Sequence, residues 1–130
     1  KMLIKKFILI GLLVMSWLYS QDEEVGNDEF YKGIAQGISV VYFNAEWNNT
    51  NCILDTLETL KEYEQSKIYY VDIDNNLELK EEYRAKRIPM VILFQDGQII
   101  KKWKGSLRNI LDLDPEEIKE EIDELLEDTY

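Results

Sequence analysis

Apolar residues along this chain follow two alternating patterns. Residues 38–43 are almost continuously apolar and rich in β-branched side chains, which predicts a central strand covered on both faces. Phe30 and Ile34, four residues apart, predict a helix over residues 29–36. Helical spacing of apolar residues also predicts a second helix over residues 49–65. Such alternation of strands and helices is typical of an α/β protein built from βαβ units.

The last part of the chain carries the clearest helix signal. Asp114 is predicted to cap this helix, Pro115 suits the first helical position, and Glu117 lies three residues after the cap, as in a capping box. The carboxylates that follow are predicted to form a solvated face. The opposite face is expected to bury a stripe of apolar residues made of Ile118, Ile122, Leu125 and Leu126.

The start of the sequence has the layout of a secretory signal peptide. Three lysines lie in the first six positions, residues 7–18 form a short apolar run, and Ser20 is small. Such a run would span about 18 Å as a helix, less than the ~30 Å core of a bilayer. We therefore expect cleavage near Gln21 and export to a periplasmic or extracellular compartment. An uncleaved membrane anchor stays open, because the apolar run can be extended back to Leu3.

Length and composition indicate one folded domain. A chain of 130 residues with 45% hydrophobic residues can bury the core of a single domain. Residues 1–20 are assigned to the signal peptide, residues 21–28 to a polar linker and residues 29–130 to the domain. The linker has no alternating apolar run, so a strand at this place is predicted to be short or absent.

Charge and residue content exclude several functions. The chain has 15 basic and 26 acidic residues, and its net charge of −11 disfavours binding to nucleic acid or anionic lipid. It has no histidine, which excludes a Ser-His-Asp triad, a Cys-His pair and histidine metal sites. Its one cysteine, Cys52, cannot form a disulfide within the chain. We predict no metal and no other cofactor.

The segment 40–52, Val-Val-Tyr-Phe-Asn-Ala-Glu-Trp-Asn-Asn-Thr-Asn-Cys, resembles the active-site segment of the thioredoxin family. In that family a strand runs into a Trp-Cys-Gly-Pro-Cys turn and then a helix. The resemblance continues to about residue 127 and implies a thioredoxin-like three-layer α/β/α sandwich with a central mixed sheet. Later segments resemble, in order, a parallel strand at 67–74, a short helix at 77–83, the family's Ile-Pro-Thr turn at 87–90, and a final hairpin at 91–105.

The resemblance also implies that the usual chemistry is missing. In an ungapped comparison Asn48 and Asn51 occupy the two cysteine positions, and Cys52 falls one residue late. Tyr42 stands where the family usually has a buried aspartate that helps to move protons, and Asn44 replaces a frequent aromatic residue. A phenol with a pKa near ~10 is a poor substitute for that carboxylate at neutral pH. These departures together favour loss of dithiol catalysis.

The residues of this turn allow several interpretations. The side chains of Asn48 and Asn51 could cap open N–H groups at the start of the second helix, or they could form a polar binding surface. Cys52 is expected in the first turn or so of that helix. It could be a small half-buried side chain, an exposed thiol that pairs with another chain, or a catalytic thiol.

The resemblance gives the proline turn a role in binding. It implies a cis bond between Ile88 and Pro89, facing the turn that contains Trp47. In thioredoxins the backbone just before this proline pairs with an extended substrate peptide. Trp47, Ile88, Pro89 and Met90 are therefore predicted to form an apolar peptide-docking patch. Basic residues near it, Arg84, Lys86, Arg87, Lys101, Lys102 and Lys104, could receive an acidic partner or balance nearby carboxylates.

The sequence thus predicts an exported thioredoxin-like domain that lacks the dithiol site and binds a protein or peptide partner. The binding residues are expected to be Trp47, Asn48 and Asn51 together with the Pro89 loop. Nucleic acid is not expected as a partner, and a membrane only if the N-terminal segment is retained. The alternative is a thiol-disulfide oxidoreductase-type protein that works through the single thiol of Cys52. A purely structural or membrane-tethered module is a third possibility.

Overall fold

The computed structural model describes residues 27–62 and 66–127. The predicted signal peptide and its cleavage site, and most of the predicted linker, lie outside these ranges. None of the helices in the described ranges has the length and apolar character that crossing a bilayer requires.

Eight regular elements follow one another along the described chain. Two short 3-10 segments, Glu46–Asn51 and Thr59–Glu62, flank the second helix. The elements are α1 Asn27–Ile34, β1 Ile38–Asn44, α2 Leu54–Glu58, β2 Ser66–Asp72, α3 Leu77–Glu82, β3 Met90–Gln95, β4 Gln98–Lys104 and α4 Pro115–Glu127.

The four strands form one mixed sheet in the order β2-β1-β3-β4. β1 pairs parallel with β2, where Val41 faces Tyr69, and antiparallel with β3, where Val41 faces Ile92. β3 and β4 form an antiparallel hairpin. Its turn uses the positive φ angles of Asp96 and Gly97, at 50° and 83°. Among the described residues, β1 is the first strand of the sheet.

One face of the sheet is covered by α1 and α3. Phe30 of α1 is fully buried against Phe43 of β1 and Leu79 of α3. Its ring also meets that of Tyr83 edge to face, with centroids 6.0 Å apart. Burial of each such large side chain contributes about 1.5–3 kcal/mol to folding. This aromatic cluster fixes α1, the first described element, to the centre of the sheet.

The other face is covered by α2 and α4. Tyr42 of β1 packs with Leu57 of α2 and with Ile118 and Ile122 of α4, all of them fully buried. All seven residues of β1 are buried, because successive side chains along the strand enter opposite cores. The three-layer α/β/α arrangement around a mixed sheet predicted from the sequence is therefore confirmed.

α1 begins and ends two residues earlier than the predicted helix over 29–36. Asp28 and Glu29 lie in its first turn, where carboxylates are favoured by the helix dipole. At the other end the Lys67 ammonium donates to the carbonyls of Gly33 and Gln36. The carbonyls near the helix end are thus satisfied by a cation instead of by a further helical turn.

The predicted second helix over 49–65 is wrong in its extent. α2 has only five residues and passes directly into a 3-10 segment at Thr59. The first residues of the predicted helix belong instead to the 3-10 segment Glu46–Asn51, which is rich in asparagine. Asparagine side chains compete with helical hydrogen bonding by bonding to nearby groups, and they do so here. The apolar stripe is kept, since Leu57 and Leu60 are fully buried.

α4 matches its prediction closely. The Asp114 carboxylate accepts a hydrogen bond from the Glu116 N–H at 3.0 Å, as a cap does. The predicted return bond of a capping box is replaced, because the Glu117 carboxylate accepts from the Trp103 indole N–H at 3.1 Å. α4 is thereby attached to β4, the edge strand, whose exposed lysines protect that edge.

Candidate functional site

The turn after β1 carries the side chains that the sequence predicted as a site. Ala45 is extended, and the N–H of Asn48 then donates to the Ala45 carbonyl at 3.0 Å. Trp47 is 62% exposed, whereas its neighbour Asn48 is only 4% exposed. The turn therefore directs an indole ring to solvent and an amide into the protein.

The buried amide of Asn48 is the centre of a hydrogen-bond network. Its nitrogen donates to Asn44 Oδ1 and to the Asn109 carbonyl, both at 3.0 Å. Its oxygen accepts from Asn51 Nδ2 at 2.9 Å. Both amide protons of Asn48 are thus used, and the network joins the end of β1 to the loop before α4. Each such bond contributes about 0.5–1.5 kcal/mol, and breaking it would leave buried polar groups unpaired.

The capping role expected of Asn48 and Asn51 is wrong. α2 begins at Leu54, and the residue before it, Ile53, makes no side-chain capping bond. A buried Asn48 also contributes nothing to a binding surface, although Asn51 stays partly exposed. Asn48 and Asn51 thus serve here as neutral structural amides, which can form neither a thiolate nor a disulfide.

Cys52 lies between the 3-10 segment and α2 and is not in a helix. Its backbone is extended, with φ −67° and ψ 132°, and its N–H donates to the Asn49 carbonyl at 3.1 Å. The side chain is exposed and forms no disulfide. Cys52 therefore lacks the position in the first helical turn that the sequence led us to expect. An extended residue cannot use the dipole of α2 as a residue within its first turn would.

Tyr42 connects this segment to the core of the sheet. Its hydroxyl accepts a hydrogen bond from the Ile53 N–H at 3.1 Å, and its ring stacks on Tyr70 with centroids 5.6 Å apart. Burial raises the pKa of Tyr42 well above its ordinary value, and a hydrogen bond with the Cys52 side chain raises it further. Tyr42 is thus a neutral phenol at physiological pH and cannot act as the proton acceptor that a buried aspartate would be.

The loop before β3 is closed to solvent. The Ile88–Pro89 peptide bond is cis, and Ile88, Pro89 and Met90 are all buried. Gly105 covers them: a Cβ atom added there would lie 2.5 Å from the Ile88 carbonyl oxygen. The Gly105 N–H also donates to the Arg87 carbonyl at 3.1 Å. This contact of two backbone segments leaves no room for a side chain at Gly105.

The burial of this loop limits which residues of the predicted docking patch are accessible. Ile88 and Met90 are each 0% exposed, and their side chains belong to the core on the α1 face. An extended peptide cannot pair with the Ile88 backbone in this structure, because that residue has no accessible surface. Of the four residues in the predicted apolar patch, Trp47 alone presents an exposed side chain.

Two exposed apolar residues near Trp47 were missed from the sequence. Leu107 is 82% exposed and Ile110 is 49% exposed, in the loop between β4 and α4. Asn109, which lies between them, accepts the hydrogen bond from Asn48, the neighbour of Trp47. We call Trp47, Leu107 and Ile110 the apolar surface. The sequence did contain a signal for their exposure. Both residues lie in a short stretch that contains Gly, Ser and Asn, where no buried stripe of apolar residues continues.

The loop that carries Leu107 is held by its own hydrogen bonds. The Ser106 N–H donates to the Ile110 carbonyl at 2.8 Å, and the Asn109 N–H donates to the Ser106 carbonyl at 2.9 Å. The Ser106 hydroxyl oxygen accepts from the Arg108 N–H at 3.2 Å. These bonds close the loop on itself, so Leu107 is held outward and exposed instead of folding onto the core.

Neither the chemistry of a metal centre nor that of a dithiol is present in this part of the molecule. Across residues 27–62 and 66–127, no three His, Cys, Asp or Glu side chains come together as a metal site would require. What the turn and the β4–α4 loop do provide is an exposed aromatic ring, two exposed aliphatic side chains and one exposed thiol.

Comparison with known proteins agrees with this architecture. The thioredoxin family model matches residues 22–115. The chain is 34% identical over 83 residues to the thioredoxin of Chlamydia trachomatis, covering 62% of this chain and 81% of that protein. It is 32% identical to the thioredoxin of Chlamydia pneumoniae with the same coverage.

Solved structures show the same fold. A mutant thioredoxin from Halobacterium salinarum superposes with a TM-score of 0.63 at 23% identity, covering 78% of this chain and 86% of that one. Thioredoxin from Trypanosoma brucei brucei gives a TM-score of 0.61 at 20% identity, with coverage of 78% and 87%. The fold and site thus define a thioredoxin-like protein with a single cysteine. The extent of the family match shows that this chain belongs to the thioredoxin family.

Proposed function

We propose that this protein binds a protein partner through the apolar surface and does not catalyse dithiol exchange. The observation that carries the proposal is the exposure of Trp47 and Leu107 beside a site whose two cysteine positions hold hydrogen-bonded amides. Exposed aromatic and aliphatic side chains on one surface are typical of protein-docking sites. A turn held by buried amides keeps such a surface rigid, which lowers the entropic cost of binding.

The binding mode differs from strand addition at the proline loop. Because Ile88 is buried beneath Gly105, the partner is expected to contact the side chains of Trp47, Leu107 and Ile110 instead of the Ile88 backbone. The Pro89 loop then acts as a support beneath the apolar surface. A partner that places one apolar side chain against Trp47 fits this arrangement.

The test is affinity purification with matched variants. Proteins that copurify with the wild type are identified by mass spectrometry, and the same experiment is repeated with Trp47→Ala, Leu107→Ser and Cys52→Ser. The proposal expects one partner that is lost with the first two variants and retained with Cys52→Ser. Retention of every partner by both Trp47→Ala and Leu107→Ser would contradict it.

The absence of dithiol exchange has a separate test. The purified domain is expected to leave the rate of insulin reduction by dithiothreitol at its uncatalysed value, because one thiol cannot complete a dithiol cycle. An active thioredoxin serves as the positive control. Turnover that disappears in Cys52→Ser would establish the alternative function instead.

That alternative is thiol exchange at Cys52, and the exposure of its side chain favours it as the second candidate. The Cys52 thiolate would attack a partner disulfide, form a mixed disulfide and release the partner's other thiol. A low-molecular-weight thiol from the surroundings would then be needed to reduce the mixed disulfide. Loss of a partner in Cys52→Ser alone, with Trp47→Ala still binding, would identify this mechanism.

We further propose that the protein is exported, on the basis of the lysine-rich start and the short apolar run of residues 7–18. Expression of the full chain in a bacterial host is expected to give a mature N-terminus near Gln21, as read by N-terminal sequencing of the exported fraction. A full-length product in the cytosol would contradict export, and a full-length product in the membrane would indicate an anchor.

A further inference from the structure

A group of cations surrounds a surface depression between the loop that follows α3 and the end of β4. The depression has a volume of about 380 Å³ and is lined by Arg84, Lys86, Arg87 and Lys104. Among the residues that the structure describes, no carboxylate lines it. A second depression of about 550 Å³ shares Arg84 and Lys86 with the first and is also lined by Lys80, Glu81 and Leu77. Within residues 27–62 and 66–127, Glu81 is the one acidic residue along both depressions. We call Arg84, Lys86, Arg87 and Lys104 the basic pocket.

These cations are not balanced by neighbouring carboxylates. In the part of the chain that the structure describes, no side chain of the basic pocket takes part in a hydrogen bond or ion pair. Other surface lysines do so: Lys101 pairs with Glu121 at 3.3 Å, and Lys61 lies 3.8 Å from Glu58. In a chain with a net charge of −11, four unpaired cations around one depression form a local positive field of opposite sign to the whole.

Arg84 occupies a backbone conformation that ordinarily favours glycine. Its φ angle is 52°, in the left-handed region that side chains with a Cβ adopt at a cost. The turn is held there because the Arg84 carbonyl accepts from the Lys86 N–H at 2.9 Å. The turn thus places a long cationic side chain at the edge of the depression.

The basic pocket lies close to the apolar surface. The Gly105 N–H bonds to the Arg87 carbonyl, and Lys104 precedes Gly105 directly. Lys104 and Leu107 are three residues apart, so their Cα atoms are separated by no more than about 11 Å. A peptide with one residue on Leu107 therefore reaches the basic pocket within about three or four residues of extended chain.

We propose that the basic pocket binds an acidic segment of the partner, adjacent in the partner's sequence to the apolar residue that docks on Leu107 and Trp47. This inference rests on the proposed partner binding and adds its charge specificity. The planar guanidinium groups of Arg84 and Arg87 suit paired hydrogen bonds to carboxylates. The overall acidity of the domain disfavours a long polyanion such as nucleic acid, because its repulsion acts beyond the pocket.

The experiment selects random peptides of about twelve residues, roughly 40 Å when extended, on the mature protein. The expected result is a set of peptides with an apolar anchor and two or more Asp or Glu residues on one side of it. The selection is repeated with Arg84→Gly, Lys86→Gln and, as a matched control, Lys61→Gln. Arg84→Gly is suited to the test, since it removes the charge and relieves the backbone conformation, so its thermal midpoint is expected to be unchanged or higher.

Affinities of a selected acidic peptide provide the quantitative comparison. Each removed pocket cation is expected to weaken binding about three-fold, as an exposed charge pair would. Lys61→Gln is expected to leave binding unchanged, and added salt to weaken binding to the wild type more than to Arg84→Gly.

The outcomes separate this inference from the proposed function. Peptides that have an apolar anchor but no preference for acidic residues would contradict the acidic-segment proposal and leave the proposed partner binding intact. A selection that yields no peptide on the wild type would overturn both. If inorganic phosphate binds more tightly than the acidic peptide, the ligand of the pocket is a small anion and the proposal is wrong. If the wild type self-associates and Arg84→Gly abolishes this, the ligand is a second copy of the chain.

Discussion

Two loops meet at the same end of the sheet in this protein, and they differ in exposure and in the groups that hold them. The turn after β1 runs through Trp47 and Asn48, and the loop before β3 contains the cis Ile88–Pro89 bond. Phe43 and Met90, the strand residues next to them, pair directly. The first loop is partly exposed and is held by hydrogen bonds between side-chain amides. The second is buried and is closed by backbone contact with Gly105.

The difference indicates that the side chains of the turn can change without a change in the backbone of the proline loop beside it. In the turn, the side-chain amides of Asn48 and Asn51 bond to one another. In the proline loop, contact between backbone atoms allows little change, because a single added Cβ would overlap with the Ile88 carbonyl. The proposed function uses this separation, because it combines a site without a second thiol with a surface that stays in place for binding.

The strongest test of this comparison is Gly105→Ala. The added Cβ would lie 2.5 Å from the Ile88 carbonyl oxygen and 2.8 Å from its carbon, and backbone atoms cannot move aside without disturbing the loop. We expect the free energy of unfolding, measured with urea, to fall by about 3 kcal/mol. Gly33→Ala is the control: its Cβ would meet the end of the Tyr69 side chain, which can shift, so the loss should be under about 1 kcal/mol.

Asn48→Ala tests the amide network and should have the next largest effect. It leaves Asn44 Oδ1, the Asn109 carbonyl and Asn51 Nδ2 without their partner. We expect a loss of about 2 kcal/mol in the free energy of unfolding. The exposed neighbour Asn49 is the control, and Asn49→Ala should change stability by less than about 0.5 kcal/mol. Equal effects of the two variants would mean that the amide network contributes nothing to the free energy of unfolding.

Tyr42→Phe removes one hydrogen bond beneath the turn and should cost about 1 kcal/mol at neutral pH, since the Ile53 N–H loses its acceptor. The same substitution is expected to change how the stability of the protein depends on pH. The pKa of Tyr42 is raised in the folded state, so the stability that its neutral form provides is complete below about pH 10 and falls as pH rises above that value.

This pH effect is measured as the change in unfolding free energy between neutral pH and about pH 11. Tyr31, Tyr69 and Tyr83 also have raised pKa values and act in the same direction in both proteins. The wild type should therefore lose more stability at alkaline pH than Tyr42→Phe does. Parallel curves for the two proteins would show that ionisation of Tyr42 is not linked to folding.

Trp47→Ala should have the smallest effect on stability and the clearest effect on binding. Because the indole is 62% exposed, the free energy of unfolding should change by less than about 0.5 kcal/mol. Affinity for the partner or for a selected peptide should fall at least ten-fold, as for an aromatic residue at the centre of an interface. A large loss of stability would instead show that Trp47 stabilises the fold, which would contradict its role in the apolar surface.

Much of the fold was predictable because its signals are local. The apolar run of β1, the cap at Asp114 with the stripe from Ile118, and the turn at Asp96 and Gly97 each depend on a few neighbouring residues. The second helix was predicted too long because its apolar stripe is real, while the asparagines before it are held by contacts that spacing does not reveal. The bond from Asn48 to Asn109 joins residues 61 positions apart.

The sequence by itself determined the order of the elements, the family, and the lack of a second thiol, since each follows from residue type and spacing along the chain. Tertiary structure alone decided which of the predicted site residues are accessible. Ile88 is buried because Gly105 approaches from the loop after β4, and Leu107 is exposed because its own loop closes on itself. Burial depends on the packing of segments distant in sequence, so no local pattern of residues could have fixed it.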